Sequence, residues 1–203
     1  MNKKLLILGA LCLHGSVFAD GLACANPVTS IEETVMGMTN ELRQVCRAGA
    51  SQEEVVGVVE TLFIPQVDVE LITKQVLGRQ FWHESTSEDR DQLHQLLKRL
   101  LARQYASAFD CGYVENQMTF HPLRGDVKRY TKVEASVPIA DKKSVLLRYA
   151  MRCDDTEWKV YDIVVDGLSI AQTYRSQFNR ILHKGGVSSL IAYLDKQLNK
   201  DDA

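Results

Sequence analysis

The chain has 203 residues, 45% of them apolar and 25% charged, with a formal net charge of −2. That length suits one domain with a substantial core. The apolar share excludes intrinsic disorder, and only 12 Gly and 4 Pro exclude collagen-like or low-complexity architecture. A near-neutral balance lacks the basic face of a nucleic-acid binder, and five cysteines are an awkward number for pairing.

The first nineteen residues read as a cleaved secretory signal peptide. Lys3 and Lys4 form the positive start, Leu5 to Leu13 the short apolar stretch, and Val17-Phe18-Ala19 the small-residue cleavage site. Cleavage after Ala25 is a variant of this reading. A lipoprotein signal ending at Cys24 lacks the usual Leu three residues earlier. No later stretch approaches eighteen apolar residues, so residues 20–203 are expected to form a single soluble domain. Removing the signal takes two lysines, one cysteine and no acid, leaving 22 basic against 26 acidic side chains and a net charge of −4. Four cysteines remain: Cys24, Cys46, Cys111 and Cys153. An even count in an oxidising compartment predicts two disulfides among three connectivities. Cys24–Cys46 with Cys111–Cys153 is the favoured pairing, the second closing a loop of about 40 residues worth about 4 kcal/mol. With no C-x-x-C, a zinc or thioredoxin-type site has no support.

The first half of the mature chain reads as helical. Ser30-Ile31-Glu32-Glu33 has capping-box spacing, and Ile31, Val35, Met38, Leu42 and Val45 follow at helical intervals to Gly49. Ser51-Gln52-Glu53-Glu54 opens a second helix with Val55, Val58, Val59 and Leu62 on one face. Pro65 breaks the chain, and Asp68 caps a third helix running to Trp82. Thr86 with Asp89 starts a fourth, whose stripe of Leu93, Leu96, Leu97, Leu100, Leu101 and Tyr105 is the clearest in the sequence. The period then changes to two. Strands are predicted at Tyr113 to Phe120, around Val133 to Val137, from Val145 to Cys153 and from Trp158 to Val165, joined by short turns as an antiparallel meander. Two more helices follow, one through Leu168, Tyr174, Phe178 and Leu182, the other from Val187 to Leu198 after Gly185-Gly186. The pattern is α+β: several amphipathic helices packed around a sheet of about four antiparallel strands.

Chemistry is hard to find. His83, His94, His121 and His183 show no i, i+4 metal spacing, and His94 sits off the leucine stripe on an expected solvated face. There is no G-x-S-x-G, P-loop or G-x-G-x-x-G, and Asp154-Asp155 reads as an acidic turn. The chain is therefore expected to be no enzyme and to need no metal or cofactor. The apolar stripes read either as core throughout or as partly lining an apolar cavity, and periodicity does not separate the two.

Two segments carry a family resemblance. One runs from Ile64-Pro65-Gln66-Val67-Asp68 to Leu77-Gly78-Arg79-Gln80-Phe81-Trp82 and the Thr86 cap. The other is Trp158-Lys159-Val160-Tyr161-Asp162 through Asp166-Gly167-Leu168-Ser169 to Tyr174-Arg175-Ser176-Gln177-Phe178 and Gly185-Gly186. In order and spacing, from Ile31 to Leu198, the chain resembles the MlaC family, also called toluene-tolerance proteins: periplasmic phospholipid carriers of Gram-negative bacteria. Asp166 stands where that family often has Glu, and the four cysteines are not part of its pattern.

The resemblance implies a carrier, expected as a monomer, that encloses acyl chains in an apolar cavity between helices and sheet. Its implied partners are phospholipid, an outer-membrane lipoprotein–porin complex and an inner-membrane ABC transporter with its lipid-binding ring. The expected wall combines Val76, Leu77, Phe81, Leu97, Leu101 and Tyr105 from the helices with Val133, Val137, Leu147, Tyr149, Met151, Tyr161, Ile163 and Val165 from the strands. In the last strand Trp158, Val160 and Val164 compete for the inner face, and Asp162 on their side of the alternation decides against them. Arg79 and Arg175 are candidates for a lipid phosphate at the mouth, or equally for ion pairs with Asp68 or Asp162. The alternative function is a periplasmic binding or chaperone-like module for another apolar ligand or a protein.

Overall fold

The computed structural model describes residues 24–108, 118–138 and 144–200. The signal segment, Cys111, the start of the strand expected at Tyr113 and the Ala140 turn lie outside the described residues. Helix α1 spans Pro27–Arg47, α2 Gln52–Leu62, α3 Val69–Glu84 and α4 Ser87–Ala108; a short 3-10 turn, Ile64–Gln66, joins α2 to α3. Strands β1 (Thr119–Phe120), β2 (Tyr130–Pro138), β3 (Ser144–Asp154), β4 (Glu157–Val165) and β5 (Leu168–Ser169) form one antiparallel sheet in chain order, and α5 (Ile170–Lys200) closes the chain. The architecture is α+β, with one strand more than expected because Leu168–Ser169 pairs with Val164 and Val165 before the helix begins.

Local signals set most helix starts. Ser51 accepts from the Glu54 amide while Glu54 accepts from the Ser51 amide, a complete capping box. Thr86 and Asp89 make the same reciprocal pair at α4, and Asp68 accepts from the Leu71 amide at α3. Helix α1 instead starts four residues ahead of the Ser30 box. Asn26 caps it through Val28 and Thr29, and Pro27, with no N–H to satisfy, occupies its first turn. The two helices expected after the sheet are one element of 31 residues kinked at Gly185-Gly186. Helix α3 is broken similarly at Gly78, where φ is 67° and ψ 174°, a conformation only glycine adopts without strain.

Two apolar cores lie side by side. The first packs α1 and α2 against the sheet, with Ile31, Met38, Leu42, Val59, Val133, Tyr149 and Trp158 buried; the second packs α3, α4 and α5 together around Val76, Leu93, Leu97, Phe178 and Leu190. Val67 and Leu101 touch both. Polar ties cross between the layers. The Arg152 guanidinium on β3 binds the buried Asp68 carboxylate at 2.7 and 2.8 Å, and the Asp68 amide donates to Val160 O.

The favoured cysteine pairing is overturned, because Cys24 bonds Cys153 with a Cα–Cα separation of 6.0 Å. Cys46 is disulfide-bonded as well. The reason is tertiary: the segment before α1 crosses the β3–β4 hairpin beside its turn, where Trp158 Nε1 donates to Ala25 O at 2.7 Å. Loop-closure entropy varies only with the logarithm of loop length, so nearness in sequence does not select a partner.

Candidate functional site: an apolar pocket on the seam between two cores

An apolar pocket of about 230 Å³ lies where the two cores meet. Phe63, Ile64 and Val67 approach it from the end of α2 and the following turn, Ile72 from α3, and Leu101, Gln104 and Tyr105 from α4. The sheet contributes Leu147, Tyr149, Val160, Asp162, Ile163 and Val165, and the first turn of α5 adds Ile170, Ala171 and Tyr174.

A β-bulge shapes the sheet side. Tyr149 pairs with Ile163 and Ala150 with Asp162, but Met151 pairs with Val160, so Tyr161 is the extra residue. The bulge resets the alternation, and both competing faces of this strand are used. Trp158 and Val160 are buried before it, while Ile163 and Val165 line the pocket after it. Tyr161 itself, expected inside, lines a separate polar groove with Lys132, Glu134 and Arg148, its ring edge-on to Tyr130. Its carbonyl accepts from Gln75 Nε2 of α3 at 3.0 Å.

Of the expected wall residues, the structure brings Leu101, Tyr105, Leu147, Tyr149, Ile163 and Val165 together at the pocket. Val76, Leu77, Phe81 and Leu97 are packed in the helical core, and Val133 and Met151 in the sheet core. Val137 is half-buried near the end of β2, opposite Val145. Arg79 and Arg175 are exposed, line no part of the pocket and make no ion pair among the described residues. Their suggested partners are taken: Asp68 by Arg152, and Asp162 by Ser169 Oγ at 2.6 Å and the Ala171 amide at 3.1 Å. The Arg175 guanidinium lies instead over the Gly78 break, where a Cβ would come within 2.8 Å of Nη2.

Sequence reasoning missed Phe63, Ile64, Val67 and Ile72, whose spacing matches that of core positions, and Ala171 and Tyr174, which read as an ordinary helix stripe. Asp162 lies inside β4 and has no capping spacing, so its place at the pocket had no local signal. The β4–β5 hairpin folds the chain back so that Asp162 lies at the N-terminus of α5, and there its charge meets a free amide.

At one edge of the pocket the β4–β5 hairpin turns through Asp166 (φ 47°) and Gly167 (φ 89°). Two consecutive left-handed residues match the twist of a tight hairpin. Asp166 is tied back to β3, accepting from the Leu146 amide through Oδ1 and donating its own amide to Leu146 O, both at 3.0 Å. Leu168 is left 73% exposed beside pocket residues Val165 and Ile170.

Burial raises the phenols of the pocket. Tyr105 and Tyr174 are each pushed up to about 12, and the fully buried Tyr149 is raised by desolvation and by nearby Tyr105. Among the described residues no group of three or more His, Cys, Asp or Glu side chains could hold a metal ion. No described helix is long and apolar enough to cross a membrane.

An apolar concavity on the seam between the layers of an α+β domain is the kind of site that holds an apolar ligand. The sequence matches the MlaC protein family over residues 33–196, and the chain belongs to that family. A toluene tolerance protein, ttg2D, of Pseudomonas putida is 23% identical over 159 residues, covering 76% of this chain and 74% of the relative. The intermembrane phospholipid transport system binding protein MlaC of Haemophilus influenzae is 24% identical over 148 residues, with 70% and 68% coverage. Among solved structures, a phospholipid-binding protein of Ralstonia solanacearum, in complex with a phospholipid, superposes with a TM-score of 0.76 at 28% identity, covering 87% of this chain and 98% of that one.

Proposed function

We propose that this protein is a periplasmic phospholipid carrier that holds acyl chains in the pocket between α4, α5 and the β3–β4 sheet. The observation that supports it most is the coincidence of an apolar pocket with a fold that, in the Ralstonia solanacearum protein, accompanies a bound phospholipid. The physical need is large. At about 0.8 kcal/mol per methylene, exposing one chain of about fifteen carbons to water costs roughly 12 kcal/mol. A cavity that replaces the bilayer interior makes transfer nearly neutral, so small affinity differences at donor and acceptor set direction. No bond is made or broken, and no nucleotide or metal takes part in this subunit.

In this reading residues 1–19 are a cleaved export signal and 20–203 the carrier domain. Its docking partners are an outer-membrane lipoprotein–porin complex and an inner-membrane ABC transporter with its lipid-binding ring. The pocket volume, about 230 Å³, falls below the roughly 300–1,000 Å³ of typical small-molecule sites. A two-chain lipid therefore enters by parting the seam between the two cores. Arg79 and Arg175, which make no ion pair among the described residues, stand available to a phosphate outside the pocket.

Organic extraction of protein purified from its native host, followed by mass spectrometry, tests the reading. About one phospholipid per chain is expected. A different apolar compound at that stoichiometry would make the protein a binding module for another ligand.

A further inference from the structure

The pocket wall is apolar apart from a few polar side chains, and the use already made of their hydrogen bonds narrows the ligand. Asp162 is committed to Ser169 Oγ and the Ala171 amide. Gln104, exposed at the rim, donates to Ser107 Oγ at 3.4 Å. Three tyrosines remain, Tyr105 on α4, Tyr149 on β3 and Tyr174 on α5. The Tyr149 hydroxyl faces Met118 Sδ at 3.7 Å, a weak acceptor. Tyr174 is only 8% exposed, yet neither its hydroxyl nor that of Tyr105 has a hydrogen-bond partner among the described residues.

Neither oxygen is sealed off, since among the described residues His94 Nε2 alone is both buried and unpaired. Water meets these hydroxyls when no ligand is bound, and a ligand that displaces it must supply an acceptor or leave them without return for their lost hydration. Two unpaired phenols on facing walls of one apolar pocket therefore point to a ligand that brings the acceptors. The acceptors must be neutral. Among the described residues no Lys, Arg or His lines the pocket to balance a carboxylate, and the Asp162 charge would repel one. The phenols remain protonated donors throughout the physiological range. A hydrocarbon chain offers no acceptor at all, whereas a diacyl glycerolipid carries an ester carbonyl at the head of each chain.

We infer that Tyr105 and Tyr174 donate hydrogen bonds to the acyl ester carbonyls of a glycerolipid, so that the pocket prefers ester-linked over ether-linked lipids of equal chain length. The inference rests on the carrier reading and adds the linkage chemistry to it. The contacts fix depth as well as identity: chains lie past the tyrosines and the headgroup stays outside.

The test compares dipalmitoyl phosphatidylcholine with its dihexadecyl ether analogue, each competing for the delipidated protein against a fluorescent phospholipid. The ester is expected to bind about tenfold tighter, with each hydroxyl contributing roughly threefold. Tyr105→Phe and Tyr174→Phe, which keep the buried rings, should each reduce the preference, and the double variant should bind both lipids alike. Should the double variant fail to fold, the wild-type comparison and the single variants decide the matter. Equal binding of ester and ether by the wild type overturns the inference and leaves the carrier reading intact. A full preference retained in the double variant overturns the assignment to these residues. Failure to bind either lipid overturns the carrier reading and the inference with it.

Discussion

The Cys24–Cys153 bridge has a worked consequence for stability. The two cysteines are 129 residues apart, so the bond closes a loop of about 130 residues in the unfolded chain. In the chain-entropy model that is worth about 5 kcal/mol at 25 °C, against about 3 kcal/mol for the roughly 23-residue loop of a Cys24–Cys46 pair. A domain of this kind has only about 5–15 kcal/mol in total. Replacing both cysteines by serine removes the cross-link without touching the bond at Cys46, which a reductant would also cut. At a urea slope of about 2–3 kcal/mol per molar, the unfolding midpoint should fall by roughly 2 M. Trp158 is a convenient reporter: it is 2% exposed, and its indole donates to Ala25 O beside the bridge. A midpoint displaced by less than about 0.3 M would refute the reasoning.

Other expectations follow from the pocket and the helix breaks. Leu147→Trp places an indole in the pocket at the edge of β3 and should lower co-purified phospholipid severalfold with Tm nearly unchanged, since only methylenes of the ligand, at about 0.8 kcal/mol each, are displaced. Gly78→Ala forces a side chain into a backbone conformation reserved for glycine and should cost about 1–3 kcal/mol. Adding Arg175→Ala should not restore stability, because the strain lies in the backbone and not in the flexible guanidinium above it. His94 is half-buried, its Nε2 lacks a hydrogen-bond partner among the described residues, and desolvation lowers its pKa from the ordinary 6.5. Below that value the unfolded chain binds a proton that the folded chain resists, so stability is lost as pH falls from about 6.5 toward the depressed folded value. His94→Gln should flatten this part of the urea-midpoint profile against pH.

What the sequence disclosed was local. The caps at Ser51, Asp68 and Thr86 are contacts within three or four residues, and each forms as its spacing predicts. The Asp166-Gly167 hairpin turn was also within local reach, because an Asp-Gly pair between apolar stretches signals the two left-handed residues observed there.

Partition of the apolar residues between core and pocket was not legible. Leu97 and Leu101 sit one turn apart on the same stripe of α4, yet Leu97 is 1% exposed in the core while Leu101 reaches the pocket. Helical period assigns them the same face, and only the position of β3 and α5 separates them. The β4 face was undecidable for a different reason. Trp158, Val160, Ile163 and Val165 fit no single alternation, and the bulge at Tyr161 that reconciles them has no residue signature of its own. The N-terminal disulfide was hidden for a third: the crossing of residue 24 over the turn end of the hairpin is set by packing between segments far apart in sequence.

The central claim is that this particular pocket receives the acyl chains of a phospholipid. A phosphatidylcholine carrying a photoreactive group midway along one chain, loaded into the protein and irradiated, tests it most directly. The account predicts adducts on the peptides bearing Leu101, Leu147, Ile163 and Tyr174, the residues that face one another across the seam. Adducts confined to the outer groove of Lys132, Arg148 and Tyr161, or none at all, would contradict it.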